Sequence, residues 1–289
     1  MHIPKIIHQI WLQGENNIPE DYPNYSGSWK EKNPEFTYIM WDNDMIVELI
    51  KKTFPQFMVI YDSYPKLVQK VDAAKYIILY HFGGIYIDMD LECIHNLSGL
   101  LNSYDNNTCE CVLLKCDMNI LTRLTFYSTT NDIMQNCFAM SVPNFYLWKS
   151  CINLMSIEDI NIGNYELLEK YIFRTTGPGL LTNAYHNLKD KSKIYLLDTD
   201  IIEPLTSCQY DYYECDKNDC KHMFPKSYAI HHFGAKHGSH GWMSGNGKLL
   251  FQTFCNKNNS DNIYICVSIS CLIIFIIIFF LFIKYYNNE

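Results

Sequence analysis

The chain of 289 residues has no excess of positive charge, no Cys-x-x-Cys pair and no internal repeat. Its formal net charge of −8 leaves no basic field for a nucleic-acid backbone, so we expect no nucleic-acid partner. The 12 cysteines follow no regular framework. Cys208, Cys215 and Cys220 cluster near His222, which allows a zinc site. Disulfides or unlinked thiols are the better interpretation, because the usual ligand spacing is missing.

No signal peptide is recognisable at the amino terminus, whereas the carboxyl end is strongly apolar. Residues 263–283 are 21 positions without a charge, rich in Ile and Phe. As a helix they would span roughly 30 Å, the thickness of a bilayer core. A buried core helix is the alternative, but it is rarely apolar on every face. We therefore expect a folded domain over 1–255, a polar linker over 256–262, a transmembrane helix over 263–283 and a short polar tail over 284–289.

This organisation predicts a single-pass membrane protein, but the side on which the folded domain lies stays open. Balanced charges around residues 263–283 give no orientation. Asn-x-Ser/Thr sequons at Asn24, Asn96, Asn106 and Asn258 suit a lumenal domain. The missing signal peptide suits a cytosolic one.

Apolar segments with strand-like and helix-like spacing alternate along the folded domain. We expect strands over 6–11, 36–41, 85–88, 112–114, 138–141 and 194–197, and helices over 44–54, 66–82, 147–155 and 165–173. Asp44 or Asn43 is the expected N-terminal cap of the helix over 44–54. Alternating elements indicate an α/β fold with a mixed, mostly parallel sheet flanked by helices.

Three Asp-x-Asp pairs occur, at Asp42, Asp88 and Asp198, and their contexts separate them. Only Asp88-Met89-Asp90 follows a Gly-Gly stop and an apolar strand. Ligands bind α/β sheets beyond the carboxyl ends of strands, and two carboxylates there suit a hard divalent cation that carries a diphosphate. This pair favours a sugar-nucleotide enzyme.

Other candidates lie before and after this pair. Asp72 and Lys75 share a helix face, either near the site or as a plain surface ion pair. Trp11 ends the first strand and could stack on a nucleobase or pack in the core. The segment 228–242 holds four His, three Gly, Ser239 and Trp242, and its composition predicts a ligand-binding loop. A zinc-binding histidine cluster and a solvated loop are the alternatives.

Six ordered blocks resemble the DXD-containing glycosyltransferases of family 32. That family includes initiating α-mannosyltransferases, inositol-phosphoceramide mannosyltransferases and α-1,4-galactosyltransferases. The blocks begin with Ile3-Pro4-Lys5-Ile6-Ile7-His8-Gln9-Ile10-Trp11 and continue over 33–42, 72–90, 136–140, 176–179 and 231–242. The resemblance covers most of residues 1–245.

The resemblance implies a GT-A type, Rossmann-like fold, a UDP- or GDP-linked sugar donor, Mn²⁺ (or Mg²⁺) and retention of anomeric configuration. It implies a glycan or glycolipid acceptor. By the same resemblance, Asp88, Asp90 and His231 would bind the metal, with His232 the next candidate; Asp72 and Asn136 would face the donor sugar; and Trp11, Gln13, Lys75, Tyr86, Ser239 and Trp242 would bind the rest of the substrate. The family usually has Arg where Lys75 stands. Lysine keeps the positive charge but lacks the bidentate fork of the guanidinium.

The resulting hypothesis is a membrane-anchored, metal-dependent transferase that moves a hexose to a hydroxyl acceptor. One alternative is a non-catalytic membrane protein that binds a sugar nucleotide. A haloacid dehalogenase-type phosphatase also uses Asp-x-Asp after a strand. It has Thr or Val where Glu92 stands, and no Gly-Gly is expected upstream.

Overall fold

The computed structural model describes residues 2–20, 24–104, 109–116, 118, 120–129, 131–157, 167–215, 219–234, 243–246 and 249–250. The expected linker, transmembrane helix and tail lie outside these residues. Within them, no helix has both the length and the apolar character needed to cross a membrane.

A six-stranded mixed sheet forms the centre of the described fold. Its strands, in spatial order, are β2 (Thr37–Trp41), β1 (Ile6–Ile10), β3 (Gly84–Ile87), β6 (Ile133–Ser141), β5 (Cys111–Cys116) and β7 (Ile194–Leu197). Three of the five pairings are parallel, and β6 is antiparallel to both of its neighbours. The mixed, mostly parallel sheet expected from the sequence is confirmed. A separate two-stranded ladder pairs β4 (Leu91–Cys93) with β8 (Ala229–His231).

Helices flank the sheet and bury its apolar residues. They are α1 (Tyr25–Lys32), α2 (Asn43–Thr53), α3 (Met58–Ser63), α4 (Leu67–Phe82), α5 (Ser98–Tyr104), α6 (Ile120–Thr122), α7 (Tyr146–Leu154), α8 (Leu168–Thr175), α9 (Pro178–Asn187) and α10 (Ser207–Tyr212). A π-helical turn, Arg123–Tyr127, follows α6. Helix α4 contacts β1, β3 and β6, and leads directly into β3. The helix that precedes the Asp-x-Asp pair is therefore part of the core.

Two local expectations were wrong. Asp42, and neither Asn43 nor Asp44, caps α2, because its carboxylate accepts the Met45 N–H at 2.9 Å. The segment 228–242 is not a loop throughout, since Ala229–His231 pairs with β4. The high glycine and histidine content of this segment predicted a loop, although its residues 229–231 form a short β-strand.

The Gly83-Gly84 stop is required by the packing at the start of β3. Both glycines have positive φ, +63° and +87°. A Cβ on Gly83 would lie 2.6 Å from the Pro143 nitrogen and the Ser141 carbonyl oxygen, and one on Gly84 would lie 2.7 Å from the Ile6 carbonyl oxygen. Backbone therefore approaches backbone at the point where α4 gives way to the strand.

His8 ties this junction to β1 and β2. Its Nε2 donates to the Gly83 carbonyl at 3.0 Å, and its Nδ1 accepts from Trp41 Nε1 at 3.1 Å. Those two partners define a neutral imidazole. Burial lowers the pKa of His8 to about 4, although the hydrogen bond to Gly83 opposes the shift.

We predict that His8 makes folding stability depend on pH. The unfolded chain protonates His8 near its ordinary pKa of 6.5, whereas the folded chain does so only near 4. The contribution is therefore complete above pH 6.5 and is lost as the pH falls towards 4. It amounts to about 3 kcal/mol. Denaturant unfolding between pH 4 and 7 should show this slope in the wild type and a smaller one in His8→Gln. The exposed His95→Gln control should keep it, and equal slopes in all three proteins would contradict the assignment.

Candidate functional site

The two carboxylates of the Asp-x-Asp pair lie where β3 ends. The Asp88 N–H donates to the Cys137 carbonyl at 2.8 Å, which continues the β3–β6 ladder by one residue. The chain then turns, because the Leu91 N–H donates back to the Asp88 carbonyl at 3.2 Å. This turn places Asp88 and Asp90 between the main sheet and the β4–β8 ladder. The other two pairs differ: Asp42 caps a helix, and Asp198 is exposed.

Lys75 of α4 lies between two carboxylates. Its Nζ lies 3.1 Å from Asp72 Oδ1 and 3.0 Å from Asp88 Oδ1, and donates to the Asn136 carbonyl at 3.2 Å. The Lys75 and Asp72 side chains are only 3% and 6% exposed. The alternative of a plain surface ion pair is therefore wrong. Helix α4 is buried on several sides. The spacing of Asp72 and Lys75 alone therefore did not show whether their face of the helix is buried or exposed.

The donors around Asp72 and Asp88 are specific. Asn136 Nδ2 donates to Asp72 Oδ1 at 2.9 Å, and Thr176 Oγ1 donates to Asp72 Oδ2 at 3.1 Å. The Tyr86 hydroxyl donates to Asp88 Oδ1 at 2.6 Å. The structure thus brings together five residues that the sequence proposed for the site: Asp72, Lys75, Tyr86, Asp88 and Asn136.

Burial and charge oppose each other in this network. Burial alone would lower the pKa of Lys75, but the carboxylates of Asp88 and Asp72 raise it above its ordinary value. Burial raises the pKa of Asp72, and Lys75 opposes that rise. Burial likewise raises the pKa of Tyr86, with Asp88 adding to the effect. Tyr86 is therefore a neutral hydrogen-bond donor.

His231 meets Asp90 from the β4–β8 ladder. Its Nε2 lies 3.2 Å from Asp90 Oδ2, and its Nδ1 lies 3.0 Å from Glu203 Oε1. Burial opposes ionisation of Asp90, but the charge and hydrogen bond of His231 lower its pKa to about 2. Burial disfavours the imidazolium, and Asp90 more than compensates by raising the pKa of His231. In the absence of a cation, the two groups form an ion pair.

His232, the next residue, belongs to a different cluster. Its ring stacks on Tyr25 at 4.0 Å between centroids, and its two nitrogens lie 3.0 Å from the Tyr210 hydroxyl and 3.1 Å from Glu92 Oε2. Lys221 also pairs with Glu92 at 2.7 Å. Of the two adjacent histidines, His231 is therefore the one whose side chain contacts a carboxylate of the Asp-x-Asp pair.

Two of the three cysteines near His222 form a disulfide bond. Cys215 and Cys220 are bonded to each other, which confirms the disulfide interpretation for these two residues. The bond lies in a small second core with Leu205, Tyr210 and Ile230. A zinc site that uses both thiols is thereby excluded.

Trp11 and Gln13 lie at the end of β1. The Trp11 N–H donates to the Trp41 carbonyl at 2.9 Å, and the Gly14 N–H returns to the Trp11 carbonyl at 2.9 Å. Trp11 is partly exposed and Gln13 is exposed, and their roles in donor binding stay predictions. Ser239 and Trp242 lie outside the described residues.

Glu203 is a site residue that the sequence did not indicate. It precedes a proline, no motif surrounds it, and its side chain is 6% exposed. Its contact with His231 Nδ1 follows the carboxylate–imidazole arrangement that commonly orients a histidine ligand. The nearest available signal was its position just after strand β7.

The donor set fits a divalent cation. Two carboxylates and one imidazole suit Mn²⁺, and the carboxylates also suit Mg²⁺. Lys75 and Tyr86 both hold Asp88 through Oδ1, and His231 and the Gly234 N–H both hold Asp90 through Oδ2. A Cβ on Gly234 would lie 3.2 Å from that oxygen, so glycine permits the close approach.

A mixed α/β sheet with an Asp-x-Asp pair at a strand end is the arrangement expected of proteins that bind nucleotide sugars, and comparisons with known proteins point to the same class. Residues 19–111 match the family described as "Glycosyltransferase sugar-binding region containing DXD motif".

Two relatives each match about a third of the chain. Inositol phosphoceramide mannosyltransferase 1 of Schizosaccharomyces pombe is 38% identical over 103 residues, which are 35% of this chain and 32% of that protein. An uncharacterized glycosyltransferase, L373, of Acanthamoeba polyphaga mimivirus is 44% identical over 100 residues, 34% of this chain and 40% of the relative. The match thus spans less than half the length of each relative.

One solved structure with a related arrangement is mouse xyloside xylosyltransferase 1 in its apo form. It is 12% identical with a TM-score of 0.44, and the match covers 78% of this chain and 97% of that one.

We predict that removing the Lys75 charge destabilises the fold severely. Lys75→Met would leave Asp72 buried without its cation, at a cost of about 3–5 kcal/mol in the free energy of unfolding. Lys30→Met removes an exposed ion pair with Glu15 and should cost less than about 1 kcal/mol. Denaturant unfolding at neutral pH measures both. Similar losses in the two variants would mean that burial of the Lys75 network contributes nothing.

Proposed function

We propose that this chain is a metal-dependent glycosyltransferase that moves a hexose from a UDP- or GDP-linked donor to a hydroxyl of a glycan or glycolipid. The observation that carries the proposal is the pair Asp88 and Asp90 at the end of β3, with Lys75 on one carboxylate and His231 on the other. A GT-A type fold and retention of configuration are parts of the same proposal. Several relatives are named mannosyltransferases, which makes mannose the first hexose to test.

The residues divide into two functional groups. Asp88, Asp90 and His231 would hold Mn²⁺ or Mg²⁺, which when bound supplies a Lewis acid that neutralises the departing diphosphate. Lys75 and Tyr86 orient Asp88, while Gly234 and Glu203 orient Asp90 and His231. Each ligand is therefore positioned before any substrate arrives, which reduces the reorganisation that binding requires.

The donor sugar would lie next to the Asp72–Asn136 pair. Both side chains are buried, and Thr176 fixes the second oxygen of Asp72. Trp11 would stack on the base, and Gln13 would lie beside it. The acceptor hydroxyl would attack the anomeric carbon on the face from which the diphosphate leaves, and no side chain is assigned as a nucleophile.

Membrane anchoring through residues 263–283 is a further part of the proposal, based on sequence alone. A lumenal domain would carry glycans at sequons such as Asn96, so glycosidase treatment of the protein expressed in eukaryotic cells should reduce its apparent mass. An unchanged mass would place the domain on the cytosolic side.

We predict that donor binding and turnover depend on the second Asp-x-Asp pair. UDP- and GDP-sugars should raise the melting temperature of the wild type only with Mn²⁺, because a ligand bound to the native state stabilises it. Asp90→Asn should abolish that shift and reduce sugar transfer by about 100-fold or more, since cation stabilisation of the leaving group amounts to several kcal/mol.

Asp198→Asn is the matched control, because Asp198 belongs to the third Asp-x-Asp pair and is 78% exposed. It should behave as the wild type does. Equal effects of Asp90→Asn and Asp198→Asn would refute the metal assignment. A metal-dependent shift without any transfer or donor hydrolysis would favour the non-catalytic binding protein.

A further inference from the structure

Three residues of different chemistry lie close together, and His231 is one of them. Cys137 of β6, Glu203 and His231 of β8 each offer one ligand atom, and these atoms lie within 4.8 Å of one another. Cys137 is 3% exposed and Glu203 is 6% exposed. The hydrogen bonds of the Asp88–Asp90 site account for Glu203 and His231, but they give no role to the thiol.

The orientation of the His231 ring makes this cluster distinct from the Asp90 contact. Nε2 faces Asp90 Oδ2, whereas Nδ1 faces Glu203 Oε1 at 3.0 Å. The Cys137 Sγ also lies within 4.8 Å of a nitrogen of the same ring. One imidazole therefore separates an oxygen-rich group, Asp88 and Asp90, from a mixed sulfur, nitrogen and oxygen group.

The mixed group offers the ligand types that a thiophilic cation prefers. Zn²⁺ binds thiolate at about 2.3 Å, and imidazole nitrogen and carboxylate oxygen at about 2.0–2.2 Å, usually with four ligands. Ligand atoms around such a tetrahedral ion are spaced by roughly 3–4 Å, so small side-chain rotations would close the observed spread. Mg²⁺ and Mn²⁺ prefer oxygen ligands and gain little from the thiol.

We propose that Cys137, Glu203 and His231 form a second cation site, specific for Zn²⁺ and similar thiophilic ions. The Cys137 thiol loses its proton to solvent when the ion binds, and a water molecule takes the fourth position. The His231 side chain is 12% exposed and gives an approach to the otherwise buried group.

The two sites compete for His231. A neutral imidazole ligates through one nitrogen, so an ion on Nδ1 leaves Nε2 protonated and paired with Asp90 instead of ligating there. Zn²⁺ should therefore weaken Mn²⁺ binding, and Mn²⁺ should weaken Zn²⁺ binding by the same factor. This competition rests on the proposed Mn²⁺ site, whereas the second site itself does not.

Cd²⁺ is the probe, because a cadmium–thiolate bond adds an ultraviolet charge-transfer band. Titrating the full chain with Cd²⁺ should produce this band, and Cys137→Ser should remove the part that saturates first. Glu203→Gln keeps the thiol and should weaken that step about 10- to 100-fold. Cys151→Ser is the control, because Cys151 is another buried free thiol, in α7, and should leave the band unchanged.

The outcomes separate this site from the proposed function. A band that depends on Cys137 and Glu203 supports the second site, even if Mn²⁺ and sugar nucleotides fail to bind. A band unchanged in both variants overturns it, even if Mn²⁺-dependent transfer is found. Thermal unfolding of each variant confirms that it is folded, and if Cys137→Ser does not fold, Glu203→Gln decides the result.

Discussion

The rest of the site depends on one buried ammonium group. Lys75 connects α4 to β3 through Asp88 and to β6 through the Asn136 carbonyl, while it also neutralises Asp72 within its own helix. Burying a lone carboxylate costs several kcal/mol, and burying two near each other costs more. The ammonium group of Lys75 therefore permits the carboxylates of Asp72 and Asp88 to lie close together at the edge of the sheet. Without it, the position of Asp88 after β3 would be electrostatically unfavourable.

Asp90 receives its cationic partner from a distant part of the chain. The β4–β8 ladder brings His231 to Asp90, and the His232 N–H donates to the Asp90 carbonyl at 2.9 Å. The region that matches the glycosyltransferase family, 19–111, contains Asp72, Lys75 and both Asp-x-Asp carboxylates, but not Asn136, Glu203 or His231. The half of the site that carries the carboxylates thus lies within the matched region. The half that orients Asp90 comes from outside the matched region.

Physical patterns in the sequence were sufficient for the parts of this site that depend on local order. A glycine stop followed by an apolar strand predicted the place of Asp88 and Asp90, and histidine density predicted His231. Long-range contacts were not predictable in the same way. The spacing of Asp72 and Lys75 is the same on a buried and on an exposed helix, and Glu203 reaches His231 only through the fold. The β8 strand was missed because three residues pair with a partner more than a hundred positions earlier.

The use of lysine at position 75 follows from the number of acceptors around it. An ammonium group has three N–H donors, and Lys75 Nζ has three oxygen partners, from Asp72, Asp88 and Asn136, at 3.0–3.2 Å. A guanidinium has five donors in a planar fork and would need two further acceptors in the same buried space. An unsatisfied buried donor costs about 1–3 kcal/mol. The three N–H donors of the lysine are therefore matched by three oxygens, whereas an arginine would leave two N–H donors without a partner among these oxygens.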